Sequence, residues 1–383
     1  MHQTDVRPPS LNECSYRSHL SLLTIITCLG IYQVTCNATA SNVKQFVVLR
    51  FDCGAANSPV KRGWIRVTHN TVYTRERGYG WLRAGSSSFD RTEVFIPRWL
   101  RESIAQKPQL DDMLRDGVFD KQDISFRADV PDGQYWVVVS IGDEGATRRN
   151  MSVYANGITI AENVTTQTSW GGFSTTRTFR KRIEVNNGKL ELMFRHNGDG
   201  NSVLGIEVIS FVPYPIWFAN GRWHCSSVDE NLRRGLEAMN KRAWQSARDS
   251  FARISEPLLR AIAFATLADI LDVPEDKAHA FVERAIGLAE QLMRTTAPDS
   301  HDGILARELK RVCSNYLRAR QFMRMLAYGH ATKHTGFTFS RRLRMAEDWC
   351  QQITEYDPLF DRACLNIGRI HYWLWREGGS ASE

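Results

Sequence analysis

The sequence predicts a protein of two parts, an antiparallel β-sandwich over residues 44–212 followed by an α-helical array over residues 227–380. Short runs of Val, Ile, Phe and Tyr separated by turn residues fill the first part. A 3.6-residue apolar periodicity dominates the second. At 383 residues the chain is also too long for one ordinary core. We therefore expect two independently folding halves joined by a linker over residues 213–226.

The strand prediction follows from apolar runs bounded by turn residues. Asn156-Gly157 between two such runs is the strongest two-residue hairpin signal in the chain. Evenly spaced short strands joined by hairpin turns are typical of a β-sandwich. The predicted strands cover residues 46–51, 124–130, 135–141, 151–155, 158–160, 177–185, 190–195 and 203–211.

An ordered series of short motifs runs through this β-rich part. It comprises Phe51-Asp-Cys-Gly54, Gly78-Tyr-Gly-Trp81, Pro131-Asp-Gly133, Ile141-Gly-Asp143 and Gly205-Ile-Glu-Val-Ile-Ser-Phe211. In this series the part resembles malectin-type carbohydrate-binding modules, which precede rhamnogalacturonan-degrading esterases. The resemblance implies a galactose-binding-like jelly roll whose exposed loops stack aromatic rings on sugars. Cys53 departs from the usual pattern, which has an aromatic or small residue at that position.

Glycine-flanked loops supply the residue types that a sugar site needs. A pyranose presents a weakly polar C–H face to an aromatic ring, and its hydroxyls need planar donors and acceptors. An arginine would add selectivity for acidic sugars, because a guanidinium pairs with a carboxylate. Packing of Tyr79 and Trp81 inside the sandwich is the open alternative, and mid-strand Trp136 is predicted to be core. The candidate ligand-binding residues are Tyr79, Trp81, Arg83, Phe89, Arg91, Trp170, Asn197 and Asp199.

A structural calcium ion is a further implication of the resemblance, since such modules often hold one between their first and last strands. Asp52 and Glu207 are the acids placed for it, whereas calcium takes six to eight oxygen ligands. We expect no cofactor, with calcium at these two residues as the alternative.

The helical part carries a repeat-like pattern at its two ends. Gly235, Ala247 and Phe251 fall 12 and 4 residues apart, and Ala346 and Cys350 repeat the later spacing. This part resembles a tetratricopeptide-like array, which implies a spacer or a docking surface for a protein partner. The helices predicted between these ends cover residues 259–271, 277–293 and 304–328.

The first 40 residues have the pattern of a secretory signal peptide. An apolar stretch over residues 20–34 precedes Ala38-Thr39-Ala40, which places small residues where a signal peptidase reads them. A membrane anchor is the alternative, but it needs about 20 apolar residues. We expect export, with the mature chain beginning near Ser41 in a secreted or periplasmic location and no other membrane contact.

Charge and motifs exclude some classes of function. Lys and Arg number 49 against 42 acidic residues, and their densest run, over residues 177–182, is typical of the solvent face of a strand, so we expect no nucleic-acid partner. Gly85-Ser-Ser-Ser-Phe89 lacks the second glycine of a hydrolase nucleophile turn, and no glutamate lies between His330 and His334 as a zinc protease requires.

These observations predict a secreted, non-catalytic protein that binds a plant- or matrix-type polysaccharide or oligosaccharide. One alternative is the N-terminal part of a polysaccharide-degrading enzyme, with its active site in the helical part or in a further C-terminal domain. A second alternative is a protein-interaction scaffold without sugar binding. The exposure of Trp81 and Trp170 distinguishes the sugar-binding protein from the scaffold.

Overall fold

The computed structural model describes residues 46–91, 115–143, 145–166, 176–219, 222–270, 273–327, 346–347, 349–354 and 356–376. The predicted signal peptide and Trp170 lie outside these residues. Gln45–Glu383 form one compact unit. No helix in the described ranges is both long enough and apolar enough to span a membrane. The five cysteines described there, Cys53, Cys225, Cys313, Cys350 and Cys364, are free thiols.

The β-rich part consists of two sheets and a separate hairpin. Its strands are β1 Val48–Cys53, β2 Ile65–Val67, β3 Tyr79–Trp81, β4 Ser87–Asp90, β5 Asp116–Asp120, β6 Ile124–Asp129, β7 Gly133–Ile141, β8 Met151–Ala155, β9 Ile158–Val164, β10 Arg177–Val185, β11 Lys189–His196, β12 Asn201–Ser210, β13 Ile216–Ala219 and β14 Arg222–Cys225. Sheet A has the order β10-β7-β12-β1-β2, with β5 beside β12 and β4 beside β5. Sheet B has the order β3-β6-β11-β8-β9. The predicted strands all recur among these elements.

The two sheets pack face to face around one apolar core. Phe51 of sheet A meets Phe126 of sheet B at a ring-centroid distance of 5.0 Å. Val137 and Val139 from β7 and Phe194 from β11 are buried in the same cluster. Alternate residues of each strand enter this core, because successive side chains of a strand point to opposite faces. The other face of each sheet remains for separate contacts.

The helical part follows the predicted periodicity closely. Its helices are α1 Glu230–Asn240, α2 Trp244–Phe251, α3 Pro257–Asp269, α4 Glu275–Thr295, α5 His301–Ala327 and α6 Phe360–Arg376. The Asp229 carboxylate caps α1 by accepting from the Leu232 N–H, and Pro257 opens α3. Helices α3, α4 and α5 match the three ranges predicted between residues 259 and 328. A tetratricopeptide arrangement of these helices stays a prediction.

The helical part covers the outer face of sheet A. Trp136 of β7 and Ile209 of β12 belong to the same buried cluster as Phe251, Phe264 and the other helical core residues. Trp136 is core as predicted, but it packs toward the helices. The sandwich keeps a separate buried cluster around Phe51 and Phe126, and the independent folding of the two parts and the proposed domain boundaries stay predictions.

Buried ion pairs lie in this contact between sheet A and the helical part. The Arg180 guanidinium lies 3.5 Å from the ring centroid of Trp136 and donates to the carboxylates of Glu308 and Asp357. The Arg180 and Asp357 side chains have no exposed surface. Arg180 belongs to the basic run expected on a solvent face, so that expectation is wrong at this residue. The carboxylates of Glu308 and Asp357 make the burial of Arg180 possible, because a buried charge needs a partner of opposite charge.

A hairpin occupies the predicted linker. Strands β13 and β14 pair with Trp217 opposite His224 and Phe218 opposite Trp223. The Trp223 backbone N–H donates to the Asn240 side chain at 2.8 Å, which attaches the hairpin to the end of α1. The described residues of the predicted linker, 213–219 and 222–226, thus include a hairpin attached to the helical part.

Candidate functional site

The predicted sugar platform does not form around Trp81. Its side chain is 0% exposed, and its ring packs against Phe126 and Phe194 in the sandwich core. Its indole N–H donates to the Thr68 carbonyl at 3.0 Å. A ring without exposed surface cannot stack on a sugar, so Trp81 is a core residue. Tyr79 is half-buried, with its ring 4.9 Å from that of Phe51.

The predicted arginines are engaged by buried carboxylates. Arg83 donates to Asp120 at 2.7 Å, and Arg91 holds both oxygens of Asp143 at 2.9 and 3.0 Å. Burial alone would raise the pKa of Asp120, but hydrogen bonds from Arg83 and from the Gln122 N–H lower it. These pairs orient the loops at one end of the sandwich. A galacturonate-type ligand would have to replace an existing carboxylate at Arg91.

The remaining predicted residues lie on β4 and in the loop between β11 and β12. Phe89 is half-buried, and the Arg91 guanidinium lies 5.0 Å from its ring centroid. Asp199 pairs with Arg149 at 2.9 Å, and the exposed Asn197 donates its backbone N–H to the Asn150 carbonyl. The structure thus brings Phe89 and Arg91 together, while Trp170 lies outside the described residues. Sugar binding by these loop residues stays a prediction.

The two acids of the calcium alternative have protein partners. Glu207 accepts from Arg50 at 3.1 Å and from Arg311 at 2.9 Å. Burial alone would raise the pKa of Glu207, but the charges of Arg311 and Arg50 lower it below its usual range. Asp52 accepts from the Lys61 N–H at 2.7 Å. In the described parts of the chain, no three His, Cys, Asp or Glu side chains are grouped to hold a metal ion.

The outer face of sheet B carries an open groove that the sequence did not predict as a site. It has a volume of about 1020 Å³. Its floor is made by the outward-facing residues of neighbouring strands, which alternate with the buried core residues. The residues that line it are Arg127, Tyr154, Asn156, Gly157, Ile158, Glu184, Asn186, Asn187, Lys189, Glu191, Met193 and Arg195. We call this feature the sheet B groove.

Tyr154 is the aromatic residue on the floor of the sheet B groove. It is half-buried on β8 opposite Met193 of β11, and the Arg195 guanidinium lies 5.7 Å from its ring centroid. Across the groove, Arg127 donates to Glu191 at 2.9 Å. The groove therefore combines one aromatic face with charged donors and acceptors on both sides.

A second tyrosine extends this pattern beside the groove. Tyr73 donates its hydroxyl hydrogen to Asp129 at 2.8 Å, and the Arg127 guanidinium lies 5.2 Å from its ring centroid. The hydrogen bond to Asp129 is the main cause that raises the pKa of Tyr73. The sequence signal for this surface was the alternation within β6, β8 and β11, which marks residues on one sheet face without showing whether that face is covered.

No protein-family model and no characterised protein sequence matches this chain. Several solved structures are similar to part of this chain. One is a β-glucuronidase of Bacteroides uniformis, with 14% sequence identity and a TM-score of 0.33. The similarity covers 43% of this chain and 18% of that one. The plant receptor-like kinase FER is similar at 15% identity and a TM-score of 0.30 over 43% of this chain and 42% of that one. The ANX1 ectodomain from Arabidopsis thaliana gives 9% identity and a TM-score of 0.29 over 42% and 47%.

The chain thus spans less than a fifth of the glucuronidase and less than half of each receptor. Likeness at this level does not establish a shared function. The proposed function therefore rests on the surfaces of this chain itself.

Proposed function

We propose that this protein is a secreted, non-catalytic carbohydrate-binding protein and that its sheet B groove binds a polysaccharide chain. The observation that carries this proposal is the half-buried ring of Tyr154 on an open groove floor, between the charged side chains of Arg127, Glu191 and Arg195. The proposal keeps the ligand class expected from the sequence and moves its site from the loops to a sheet face.

The chemistry of the sheet B groove suits a sugar better than a small apolar molecule. The C–H face of a pyranose gains by covering the Tyr154 ring, while hydroxyl groups can accept from guanidinium N–H groups and donate to carboxylates. Small-molecule pockets are mostly apolar and bury most of their ligand. This groove is open, and five of its lining side chains are charged. An extended polymer can lie along it without being enclosed.

The helical part supports this function as a spacer or docking surface, as a tetratricopeptide-like array would. The close approach of Gly235 to Phe251 supports that arrangement, since a Cβ on Gly235 would lie 2.0 Å from a Phe251 ring carbon. Export through the N-terminal signal completes the proposal. It rests on the apolar run and the Ala-Thr-Ala site in the first 40 residues.

Affinity electrophoresis of the wild type and of Tyr154→Ala in pectic and neutral polysaccharides tests the groove. Losing roughly 60–100 Å² of ring contact should cost on the order of 1.5–2.5 kcal/mol, which is about a tenfold or greater weakening of affinity. We expect the wild type to be retarded by at least one polysaccharide and the variant to be retarded much less.

Tyr372→Ala is the matched control, because Tyr372 is a 54% exposed tyrosine on α6 that does not line the sheet B groove. It should migrate like the wild type in every gel, and thermal melting should show all three proteins folded. If no polysaccharide retards the wild type, or if Tyr154→Ala is retarded as strongly as the wild type, the groove is not the sugar site.

A further inference from the structure

In the part of the chain that the structure describes, strand β10 is an edge strand with one side open. Among the described residues it pairs only with β7, along all nine of its positions. The backbone N–H and C=O groups of an edge strand that point away from its partner form a template for a further strand. The position of these groups can be read from the neighbouring hydrogen bonds.

The backbone groups of Thr178, Arg180 and Arg182 point away from β7. The Gln134 carbonyl on β7 accepts from the Phe211 N–H at 2.7 Å, so Gln134 directs its backbone groups toward the β12 side. In antiparallel sheets each residue directs both groups to the same side, and alternate residues share that side. Gln134 pairs with Glu184, so Glu184 and the residues at steps of two from it face the open edge.

The Asn156 side chain supports this assignment independently. Its Nδ2 donates to the Glu184 carbonyl at 3.4 Å, from the side of β10 opposite to β7. Glu184 lies at the end of β10, so this contact leaves the stretch of the edge before it open.

A groove of about 650 Å³ follows this edge, and we call it the β10 groove. Five consecutive residues of β10, Thr178 to Arg182, line it. Side chains alternate between the two faces of a strand, so only the edge can present five consecutive residues to one groove. At the spacing of a strand these residues span roughly 17 Å, enough for a segment of five or six residues.

Both walls of the β10 groove carry apolar residues, together with Gln351, Thr354 and Tyr356 on the helical side. Ile158 and Ile160 of β9 line one wall, and Ile353, Phe360 and Ile367 from the helical part line the other. An added strand would point its successive side chains alternately to these two walls. Its backbone would meanwhile pair with β10, as in recognition by strand addition.

The charge of the β10 groove favours an acidic occupant. Arg180, Lys181 and Arg182 line it, and no Asp or Glu is among its described lining residues. Arg180 is already paired with Glu308 and Asp357, but Lys181 is exposed. The Arg182 guanidinium stacks on Tyr356 at 3.9 Å from the ring centroid.

We propose that the β10 groove binds an extended polypeptide segment of alternating apolar and acidic residues, which adds a strand to sheet A at β10. The open backbone edge supplies the pairing, and the apolar residues of the helical wall take the aliphatic side chains. Lys181, which points to the opposite face of β10 from Arg182, attracts the carboxylates on the other side. This site shares Ile158 with the lining of the sheet B groove but is centred on β10 instead of Tyr154, and it goes beyond carbohydrate binding.

The test uses the full mature chain and a capped seven-residue peptide in which Val and Glu alternate. Calorimetry should show binding of this peptide. Two N-methylated versions, one at every Val and one at every Glu, separate strand pairing from side-chain contact. In a paired strand only one of these two sets of N–H groups faces β10, so one version should lose about tenfold or more in affinity and the other much less.

Two substitutions locate the binding at β10. Thr178→Pro deletes an N–H that faces the groove and keeps the backbone bonds to β7, although it removes the side-chain bond to the Ser140 hydroxyl, so it should weaken binding about tenfold. Lys181→Glu should weaken binding of the Val-Glu peptide and strengthen binding of a Val-Lys peptide. Lys241→Glu, which reverses an exposed charge at the end of α1, should change neither affinity.

Three results would overturn the proposal. The first is no binding of the Val-Glu peptide at millimolar concentration. The second is equal affinity for the parent peptide and both methylated versions, since the groove would then read side chains alone. The third is a dimer in sedimentation that Lys181→Glu dissociates, which would make a second copy of this chain the occupant of the edge.

Discussion

The indole of Trp81 satisfies its single donor inside the sandwich, by its bond to the Thr68 carbonyl. The backbone around it is equally constrained. Gly80 has φ +139°, and a Cβ there would lie 2.6 Å from the Tyr73 nitrogen. The glycine therefore allows the backbone at residue 80 to lie close to the backbone of residues 71–73. This close contact holds the Trp81 indole in the core.

Trp81→Ala should destabilise the protein by about 3–5 kcal/mol, because it removes a large buried ring together with the indole hydrogen bond to the Thr68 carbonyl. Urea unfolding measures this loss. Trp217→Ala is the control: Trp217 is 42% exposed, so its loss should cost at most about 1 kcal/mol. An unchanged urea midpoint for Trp81→Ala, together with lost polysaccharide binding, would restore Trp81 as a ligand contact.

The sequence could not distinguish these roles at residues 78–81. Two aromatics between glycines are typical of an exposed loop and equally of a short strand packed closely on its neighbour. The deciding contact, between Gly80 and the backbone of Thr71 and Tyr73, depends on the tertiary arrangement. Arg180 shows the same limit, because its solvation depends on Asp357, which lies 177 residues away in the chain.

Helices α1 and α2 form a hairpin whose closeness depends on one glycine. The repeat-like spacing marked Gly235 as a small position and Phe251 as an aromatic position, and the structure places the Phe251 ring directly over Gly235. Phe251 and Ala247 are both fully buried. The spacing of small and aromatic residues thus encodes how closely these two helices pack.

Gly235→Ala should destabilise the protein by about 1–3 kcal/mol, because the added methyl group overlaps the Phe251 ring and forces the helices apart. Gly287→Ala is a matched control on α4, where a Cβ would meet nothing within 4 Å. It should stabilise by up to about 1 kcal/mol through helix propensity. Chemical unfolding of both variants checks the opposite signs, and a stabilised Gly235→Ala would argue against a close α1–α2 contact.

Periodicity predicted the individual elements well because it depends on nearest neighbours along the chain. It predicted α3, α4 and α5 to within a few residues, and it marked eight of the twelve described strands of the two sheets, but it did not predict the short strands β2 to β5. It could not show which sheet face the helices would cover. The helices cover the outer face of sheet A, so Trp136 is a core residue. Tyr154 on the outer face of sheet B lies in an open groove.

At the scale of the whole molecule, two buried acids give folding a dependence on pH. Burial is the main cause that raises the pKa of Asp116 and of Asp269 to about 7, from an ordinary value of 3.8. Nearby Asp52 and Asp90 add to the effect at Asp116, and Asp361 adds to it at Asp269.

Both acids should make the protein less stable as pH rises from about 4 to above 7. In that range the folded state binds more protons than the unfolded chain at these two sites, so deprotonation favours unfolding. Replacing both residues by Asn should flatten this dependence and raise the melting temperature at pH 8 relative to the wild type. Thermal unfolding at pH 5 and pH 8 checks it, and an equally steep slope in the double variant would contradict it.

The buried pairs of Arg180 with Asp357 and Glu308 also have a consequence for ionic strength. Dissolved salt screens exposed charges over about 8 Å at physiological strength and about 3 Å at 1 M, but it acts weakly on groups without contact to solvent. The attachment of the helical part to sheet A should therefore tolerate concentrated salt, whereas an acidic peptide held by exposed Lys181 should dissociate. On a column that carries such a peptide, a step to high salt should elute the protein while its helical part remains packed on sheet A.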